Sequence, residues 1–164
     1  MPHTRPATEA DLPAIRDIVN DVIRTTTAIF GDTEVSLDER LAWMRGRLAA
    51  GYPVLVAEEA GVVVGFASYG AFRSGPPGYR HAAEHSVHVR ADWRGRGVGP
   101  ALVRALIDIA RERGILVLVA GIDATAEASI RMHGRLGFAI TGRMPGVGFK
   151  HGRRLDLVLM QRET

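Results

Sequence analysis

The sequence predicts one α/β domain in which helices cover a mixed β-sheet, and three observations indicate it. The chain has 164 residues, a common length for one domain. A composition of 46% hydrophobic and 24% charged residues provides both a core and a solvated surface, which excludes a disordered chain and a coiled coil. Segments of helical and strand periodicity alternate with no repeat or linker, so the domain is expected to span residues 1–164.

Four amphipathic helices are predicted from apolar residues that recur at spacings of three and four. The first two follow start signals of the form Ser/Thr-x-x-acid, which are Thr8 with Asp11 and Ser36 with Glu39. The second helix is expected to end before Gly51, because a glycine commonly follows the last turn of a helix. The third and fourth helices are expected over residues 98–113 and 126–136.

Seven strands are predicted from short apolar or alternating segments, at residues 4–7, 53–58, 62–69, 84–89, 117–122, 138–144 and 155–161. The second and third of these flank Ala60-Gly61, which indicates a hairpin. The fifth is almost continuously apolar, as expected for a strand in the middle of a sheet. Two helices before the hairpin and single helices after it do not fit a doubly wound nucleotide-binding fold.

Charge and cysteine content narrow the classes of function. No apolar run is long enough to span a membrane, and the N-terminus lacks the apolar segment of a secretory signal. The absence of cysteine excludes disulfides and thiolate metal sites and suits a cytoplasmic protein. Lys150 is the only lysine among 21 basic residues, but 18 acidic residues are interleaved with them and the net charge is only +3. Neither a nucleic acid nor a membrane is therefore an expected partner.

The segment from Arg94 to Gly99, Arg-Gly-Arg-Gly-Val-Gly, has the features of an anion-binding turn. It follows a predicted strand and begins a predicted helix, whose first N–H groups have no intrahelical acceptor. Its glycines let the backbone approach a ligand closely, and Arg94 and Arg96 add positive charge suited to phosphate oxygens. The alternative is a glycine-rich turn that only caps the helix.

Two common phosphate-binding patterns do not match this turn. The Walker pattern requires a lysine, and none is near. In the dinucleotide pattern G-x-G-x-x-G, the third glycine would fall on Pro100 or Leu102. The remaining pattern is Arg/Gln-x-x-Gly-x-Gly/Ala, which Arg94, Gly97 and Gly99 match.

With this loop in place, the chain resembles the GNAT-fold N-acetyltransferases, and among them the phosphinothricin and methionine sulfoximine (methionine sulfone) acetyltransferases. The resemblance covers nearly the whole chain and is carried also by residues 26–29, 51–56, 84–89, 129–133, 136–138 and 147–150. It implies an α/β (α+β) fold with a mixed central sheet of about seven strands, splayed at its centre and flanked by about four helices. It also implies acetyl-CoA as co-substrate, a small amino-acid-like acceptor, no metal and a homodimer.

The resemblance implies two catalytic residues. A free α-amine has a pKa of about 8 and is largely protonated at neutral pH, so a base must take its proton. Glu84 matches the acidic position of the family, and partial burial is expected to raise its pKa. His133 matches the family's histidine and is expected to assist the leaving thiolate. Alternatively, Glu84 is a surface carboxylate that pairs with an arginine, and His133 is a hydrogen-bonded histidine of the core.

The remaining site residues are also implied by the resemblance. The co-substrate is expected to contact Val87, His88, Val89, Arg94, Gly95, Arg96, Gly97, Val98, Gly99, Pro100 and Ser129. The acceptor is expected to contact Arg73, Ser74 and Gly75, which lie in a long loop, together with Glu84, His85 and Ser86.

Departures from these patterns leave alternatives open. His81 to His85 also match the zinc-protease pattern H-x-x-E-H, but this pattern requires a helix and the segment alternates as a strand. The family usually has asparagine where Ala126 stands, and tyrosine and tryptophan where His88 and Arg154 stand. The chain could thus acetylate another amine or a protein N-terminus, or bind acyl-CoA without catalysis.

Overall fold

The computed structural model describes residues 2–164, and these residues form the predicted order of elements. The helices are α1 (Leu12–Thr25), α2 (Leu37–Ala49), α3 (Val98–Glu112) and α4 (Glu127–Arg135). The strands are β1 (His3–Pro6), β2 (Val54–Glu59), β3 (Val62–Ala71), β4 (Ala82–Val89), β5 (Val117–Asp123), β6 (Ala139–Lys150) and β7 (Arg153–Glu163). Short 3-10 turns precede α1, β4 and α3.

Local sequence signals explain several element boundaries. At the start of α2, Ser36 Oγ accepts a hydrogen bond from the Glu39 amide (3.2 Å), and the Glu39 carboxylate accepts one from the Ser36 amide (2.6 Å). Ala60 and Gly61 both have positive φ (49° and 78°), as a tight hairpin turn requires. Thr8 and Asp11 form the other predicted capping box, which begins a 3-10 turn that continues into α1.

The last hairpin is longer than predicted. β6 continues to Lys150 and β7 begins at Arg153, whereas the predicted strands ended at residue 144 and began at residue 155. The pairing shifts register between Met144 and Gly148, so Pro145 and Gly146, residue types that usually end a strand, lie within a bulge. The ladder resumes after that bulge.

The sheet has the strand order β1-β2-β3-β4-β5-β7-β6. All neighbouring strands are antiparallel except β4 and β5, which are parallel. This parallel pair extends only from Ala82–Val117 to His85–Ala120. Beyond it, the facing edges of residues 86–89 and 121–123 have no strand partner in the described chain, so the sheet is splayed at its centre, as predicted.

Helices cover the two faces of the sheet and form two cores. α3 packs on one face, over a cluster that includes Ala83, Leu118 and Val158. α1 and α2 pack on the other face, over Val56 and Phe66. Because side chains alternate along a strand, odd-numbered residues of β4 point towards α3 and even-numbered residues towards α1 and α2.

Candidate active site

The splay exposes the strand backbone that was predicted to bind the co-substrate. Val87, His88 and Val89 lie where β4 no longer pairs with β5. On that side, backbone groups of a strand need other partners, and a chain of amides can supply them. The carbonyl oxygen of Val89 accepts a hydrogen bond from Nε of Arg94 (3.3 Å), which holds the Arg94 side chain beside the open edge.

The glycine turn before α3 has the geometry of an anion site. Gly95 and Gly97 have φ angles of 76° and 82°, and a Cβ at either position would meet no atom within 4 Å. Ala101 N donates to Gly97 O (3.2 Å), and the amides before it lie in the orphan first turn of α3. Arg96 extends over the Trp93 ring, 4.9 Å from its centroid. The turn therefore fits a pyrophosphate.

The third glycine of the turn has a different role. Gly99 is buried, and a Cβ there would lie 3.1 Å from Sδ of Met132 and 3.9 Å from Val89. It therefore permits close packing of α3 against α4 and β4. Val98 is buried beside it and Pro100 is half-buried, so both support the turn from the protein side.

Glu84 lies directly before the point where the strands separate. It pairs with Gly70 on β3 and with Val119 on β5, and its side chain is on the α2 face. The carboxylate is open to solvent on one side, but the surrounding protein desolvates it and raises its pKa above the ordinary value. Arg47 partly opposes this rise. Glu84 forms no ion pair within residues 2–164, unlike the surface carboxylate of the alternative interpretation.

The two histidines predicted for the site lie on the opposite face of β4. Nε2 of His85 is 3.0 Å from Nε2 of His133, and both rings contact Phe138. Nδ1 of His133 lies 2.8 Å from the Ser129 carbonyl, so Nδ1 carries the proton and Nε2 accepts one from His85. Burial lowers the pKa of both histidines, which keeps them neutral. The structure does not bring them together with Glu84.

The start of α4 lacks the asparagine that is usual in the family, because Ala126 stands in its place. Ala126 occupies the N-cap position and makes no side-chain hydrogen bond. Ser129 is half-buried in the first turn, with its Oγ 3.4 Å from Nδ1 of His133. Its predicted contact with the co-substrate remains a prediction.

The loop between β3 and β4 was predicted to contact the acceptor, and it starts close to the strand position that pairs with Glu84. It begins after Ala71, one position beyond the residue that pairs with Glu84. Arg73, Ser74 and Gly75 are exposed in it. The guanidinium of Arg73 is 5.7 Å from the Tyr79 ring centroid, so this arginine stacks on an aromatic residue of its own loop. Ser86, two residues along β4, faces the same side as Glu84.

Sequence reasoning did not identify two arginines of α2 on the face of β4 that carries Glu84 and His88. Arg40 and Arg47 of α2 flank Trp43, with Cζ atoms 3.9 Å and 5.9 Å from its ring centroid. A Cβ at Gly70 would overlap the Arg47 guanidinium, so this glycine admits the arginine to the strand position paired with Glu84. The signal was present in the spacing i, i+3 and i+7, which places the three residues on one helical face.

The segment between α1 and α2 is anchored to the far end of the sheet. Lys150 is buried and donates hydrogen bonds to the carbonyl oxygens of Thr26 (2.8 Å) and Ile29 (2.7 Å). Thr27 also contacts the buried carboxylate of Asp123 on β5. These contacts hold the segment between α1 and α2 against β5 and β6.

Within residues 2–164, no group of three or more His, Asp and Glu side chains is arranged to bind a metal. The H-x-x-E-H segment crosses the start of β4, and its second histidine bonds His133. In the same residues, no helix has the length and apolarity needed to cross a membrane.

Comparison with known proteins identifies the family. Residues 15–138 match the profile of the acetyltransferase (GNAT) family. Over 96% of its length, the chain is 52% identical to the L-methionine sulfoximine/L-methionine sulfone acetyltransferase of Pseudomonas paraeruginosa, of which the match covers 91%. The phosphinothricin N-acetyltransferase of Alcaligenes faecalis is 39% identical, over 93% of this chain and 77% of that protein.

Solved structures of similar proteins share the fold. An acetyltransferase of Salmonella typhimurium, solved with its cofactor acetyl-CoA, has a TM-score of 0.96 and 48% identity over 99% of this chain and 94% of that chain. The ribosomal-protein-alanine N-acetyltransferase of Brucella melitensis has a TM-score of 0.97 and 49% identity over 99% of both chains. This chain belongs to the acetyltransferase (GNAT) family, with acetyl-CoA as its co-substrate.

Proposed function

We propose that this protein transfers an acetyl group to the α-amine of a small amino acid, with methionine sulfone and methionine sulfoximine as the first acceptors to test. The observation that carries the proposal is the place of Glu84, a carboxylate of raised pKa at the point where the splay begins. The similarity to the Pseudomonas paraeruginosa enzyme supports the choice of acceptor.

The chain offers two sets of groups to acetyl-CoA. The open edge of Val87 to Val89 can pair with the amides of the pantetheine arm, and the turn from Arg94 to Pro100 can hold the pyrophosphate. Acetyl-CoA supplies an activated thioester, whose carbonyl carbon forms a bond to the acceptor nitrogen while the C–S bond breaks. Backbone N–H groups at the splay can stabilise the negative charge that develops on the carbonyl oxygen.

Glu84 makes the acceptor nucleophilic by taking a proton from the ammonium group, directly or through water. Because the pKa of Glu84 is raised, it lies closer to the pKa of the acceptor amine, and this favours the proton transfer. The carboxylate faces the α2 side of β4, where an acceptor can reach it without crossing the co-substrate edge.

His133 is a less direct proton donor for the leaving thiolate than water is. It is buried on the other face of β4, and its Nε2 already accepts a proton from His85. A neutral histidine in that arrangement has no free N–H to donate to sulfur. The proposed reaction therefore needs only Glu84, and the thiolate can take its proton from water.

Two other functions have specific support and distinct outcomes. The similarity to the Brucella melitensis structure favours a protein N-terminus beginning with alanine as acceptor. Ala126, which offers no side-chain hydrogen bond at the start of α4, favours an acyl-CoA-binding module without catalysis.

An acceptor panel read by thiol release tests the three functions. It contains methionine sulfone, methionine sulfoximine, phosphinothricin and a peptide with N-terminal alanine. The proposal expects turnover with the small amino acids and little with the peptide. A preference for the peptide would replace the proposed acceptor, and tight acetyl-CoA binding with no turnover on any acceptor would favour the binding module.

We also propose a homodimer formed through the exposed edge of β6. This strand ends the sheet and presents apolar side chains to solvent, among them Val147 (52% exposed) and Phe149 (68% exposed). A long apolar edge strand invites pairing unless another surface covers it. A second copy of the chain is the cover that the family resemblance implies.

A further inference from the structure

Three arginines of α2 have contrasting environments. Arg45 is exposed and forms an ion pair with Glu9 (2.8 Å). Arg40 and Arg47 are half-buried and face the sheet, and neither has a carboxylate or a carbonyl acceptor within residues 2–164. Nε of Arg40 is buried and makes no hydrogen bond there. The two inward arginines thus have unused donors.

This arrangement is unfavourable for the protein alone. Burial, together with the charge of Arg47, lowers the pKa of Arg40 to about 10, and burial also lowers the pKa of Arg47. Stacking of both guanidiniums near Trp43 compensates only part of this desolvation. Glu84 is near Arg47 but forms no ion pair with it, so a bound anion could accept the free donors of both cations.

The position of Arg47 relates this anion to the acceptor. Its guanidinium lies over Gly70, which pairs with Glu84 across β3 and β4. Paired strands are about 4.8 Å apart, so the arginine and the carboxylate are neighbours on one face. An α-amino acid carries its amine and its carboxylate on the same carbon. With the amine at Glu84, the carboxylate comes within reach of Arg47.

We propose that Arg40 and Arg47 form a subsite that binds the α-carboxylate of the acceptor and thereby selects amino acids over simple amines. The subsite rests on the proposed function, because it assumes that the amine lies at Glu84. Planar guanidiniums suit a carboxylate because they can donate two parallel hydrogen bonds. Arg73 is exposed in the loop after β3 and forms no ion pair within residues 2–164, so it remains available for the acceptor side chain.

The test compares two acceptors that differ only in the carboxylate, methionine sulfone and 3-(methylsulfonyl)propan-1-amine. We expect Arg47→Gln and Arg40→Gln to lower kcat/KM for methionine sulfone by about 30- to 100-fold, the usual effect of losing a charge-assisted pair of hydrogen bonds. For the amine the same variants should change kcat/KM by less than about threefold. The ratio of variant to wild-type kcat/KM is taken separately for each acceptor, so the effect of the different pKa values of the two amines cancels.

Arg45→Gln is the matched control, because it removes a cation from the same helix outside the subsite. It should leave kcat/KM unchanged for both acceptors. Arg47→Lys keeps the charge without the planar pair of donors, and an intermediate loss is expected. Far-UV circular dichroism verifies that each variant is folded.

Calorimetric titration of methionine sulfone into the protein saturated with CoA separates the subsite from the reaction. We expect wild type to bind and Arg47→Gln to bind at least tenfold more weakly. If wild type binds but acetylates nothing, the proposed reaction fails and the subsite stands. Equal binding by wild type and Arg47→Gln, equal loss on both acceptors, or a raised KM for acetyl-CoA alone would overturn the subsite. Neither binding nor turnover by wild type would overturn both proposals.

Discussion

At the scale of single residues, the environment of Glu84 depends on two glycines. Gly70 on β3 admits the Arg47 guanidinium, and a Cβ at Gly121 on β5 would lie 3.1 Å from Oε1 of Glu84. The absence of these two side chains leaves space for the carboxylate, the arginine and an acceptor. The walls still exclude enough water to raise the pKa of Glu84.

Glu84→Gln should lower kcat by about 100- to 1,000-fold while acetyl-CoA binding is retained, because the variant removes only the base. In wild type, kcat/KM should fall as pH drops through the raised pKa of Glu84, since only the ionised form accepts a proton. The variant should lose this acidic limb. A full pH profile with methionine sulfone checks both expectations, and an unchanged kcat in the variant would contradict them.

Some residue contacts could be predicted from the sequence and others could not. The motif identified Glu84, and alternation along the predicted strand is sufficient to place its side chain opposite that of His85. The bond between His133 and His85 could not be predicted, because it depends on how α4 docks on β4. Arg40 and Arg47 were missed for the same reason, because periodicity defines a helical face without saying which strand residue it meets.

At the scale of elements, the turn into α3 can be tested by two matched glycines. Gly97 and Gly114 have φ angles of 82° and 71°, and a Cβ at either would meet no atom within 4 Å. Substitution of either glycine by alanine should therefore lower the free energy of unfolding by a similar amount, about 1–2 kcal/mol. Gly97→Ala should also raise the KM for acetyl-CoA about tenfold, because its Cβ would enter the open space that we propose for the pyrophosphate. An equal KM in both variants would contradict this.

The start of α1 is tied to the sheet by an ion pair between the buried Asp11 and the partly buried Arg5, and this pair has a defined pH dependence. Arg5 of β1 donates two hydrogen bonds to Asp11 (2.8 Å each) and others to Glu58 of β2. The hydrogen bonds from Arg5 hold the pKa of Asp11 below its usual range. Its contribution to stability is therefore present at neutral pH and is lost as pH falls below the ordinary value towards the lowered one.

Asp11→Asn should lower the free energy of unfolding by about 1–3 kcal/mol at pH 7, with a smaller difference at pH 3. Urea denaturation at the two pH values measures this change. Glu34→Gln is the control, because its pair with Arg24 is exposed and should be worth less than about 1 kcal/mol. A loss no larger than that of the control would show that the buried pair contributes little.

At the scale of the whole molecule, the element order and the splay were both predicted, but on different grounds. Hydrophobic periodicity and caps were sufficient for the order of helices and strands. The splay was implied by resemblance only, because strand register arises from long-range contacts that local sequence does not encode. The end of β6 was missed because Pro145 and Gly146, which usually end a strand, lie here in a bulge. The start of β7 was missed because its first residues pair with the part of β6 beyond that bulge.

The proposed dimer predicts a concentration-dependent mass. At about 10 μM, light scattering after size exclusion should give twice the chain mass, and Phe149→Glu should shift it towards the monomer because a buried charge opposes association. Leu116→Glu adds the same charge at a position that is 61% exposed and distant in sequence from β6, and it should remain dimeric. A monomeric wild type would contradict the proposal.

In the proposed reaction, the glycine turn and Glu84 act on one reacting complex. A crystal structure with CoA and methionine sulfone bound together would show whether they do. We expect pyrophosphate oxygens within hydrogen-bond distance of the amides of residues 97–99, and the acceptor nitrogen at the Glu84 carboxylate, directly or through one water. An empty turn, or an acceptor amine remote from Glu84, would contradict it.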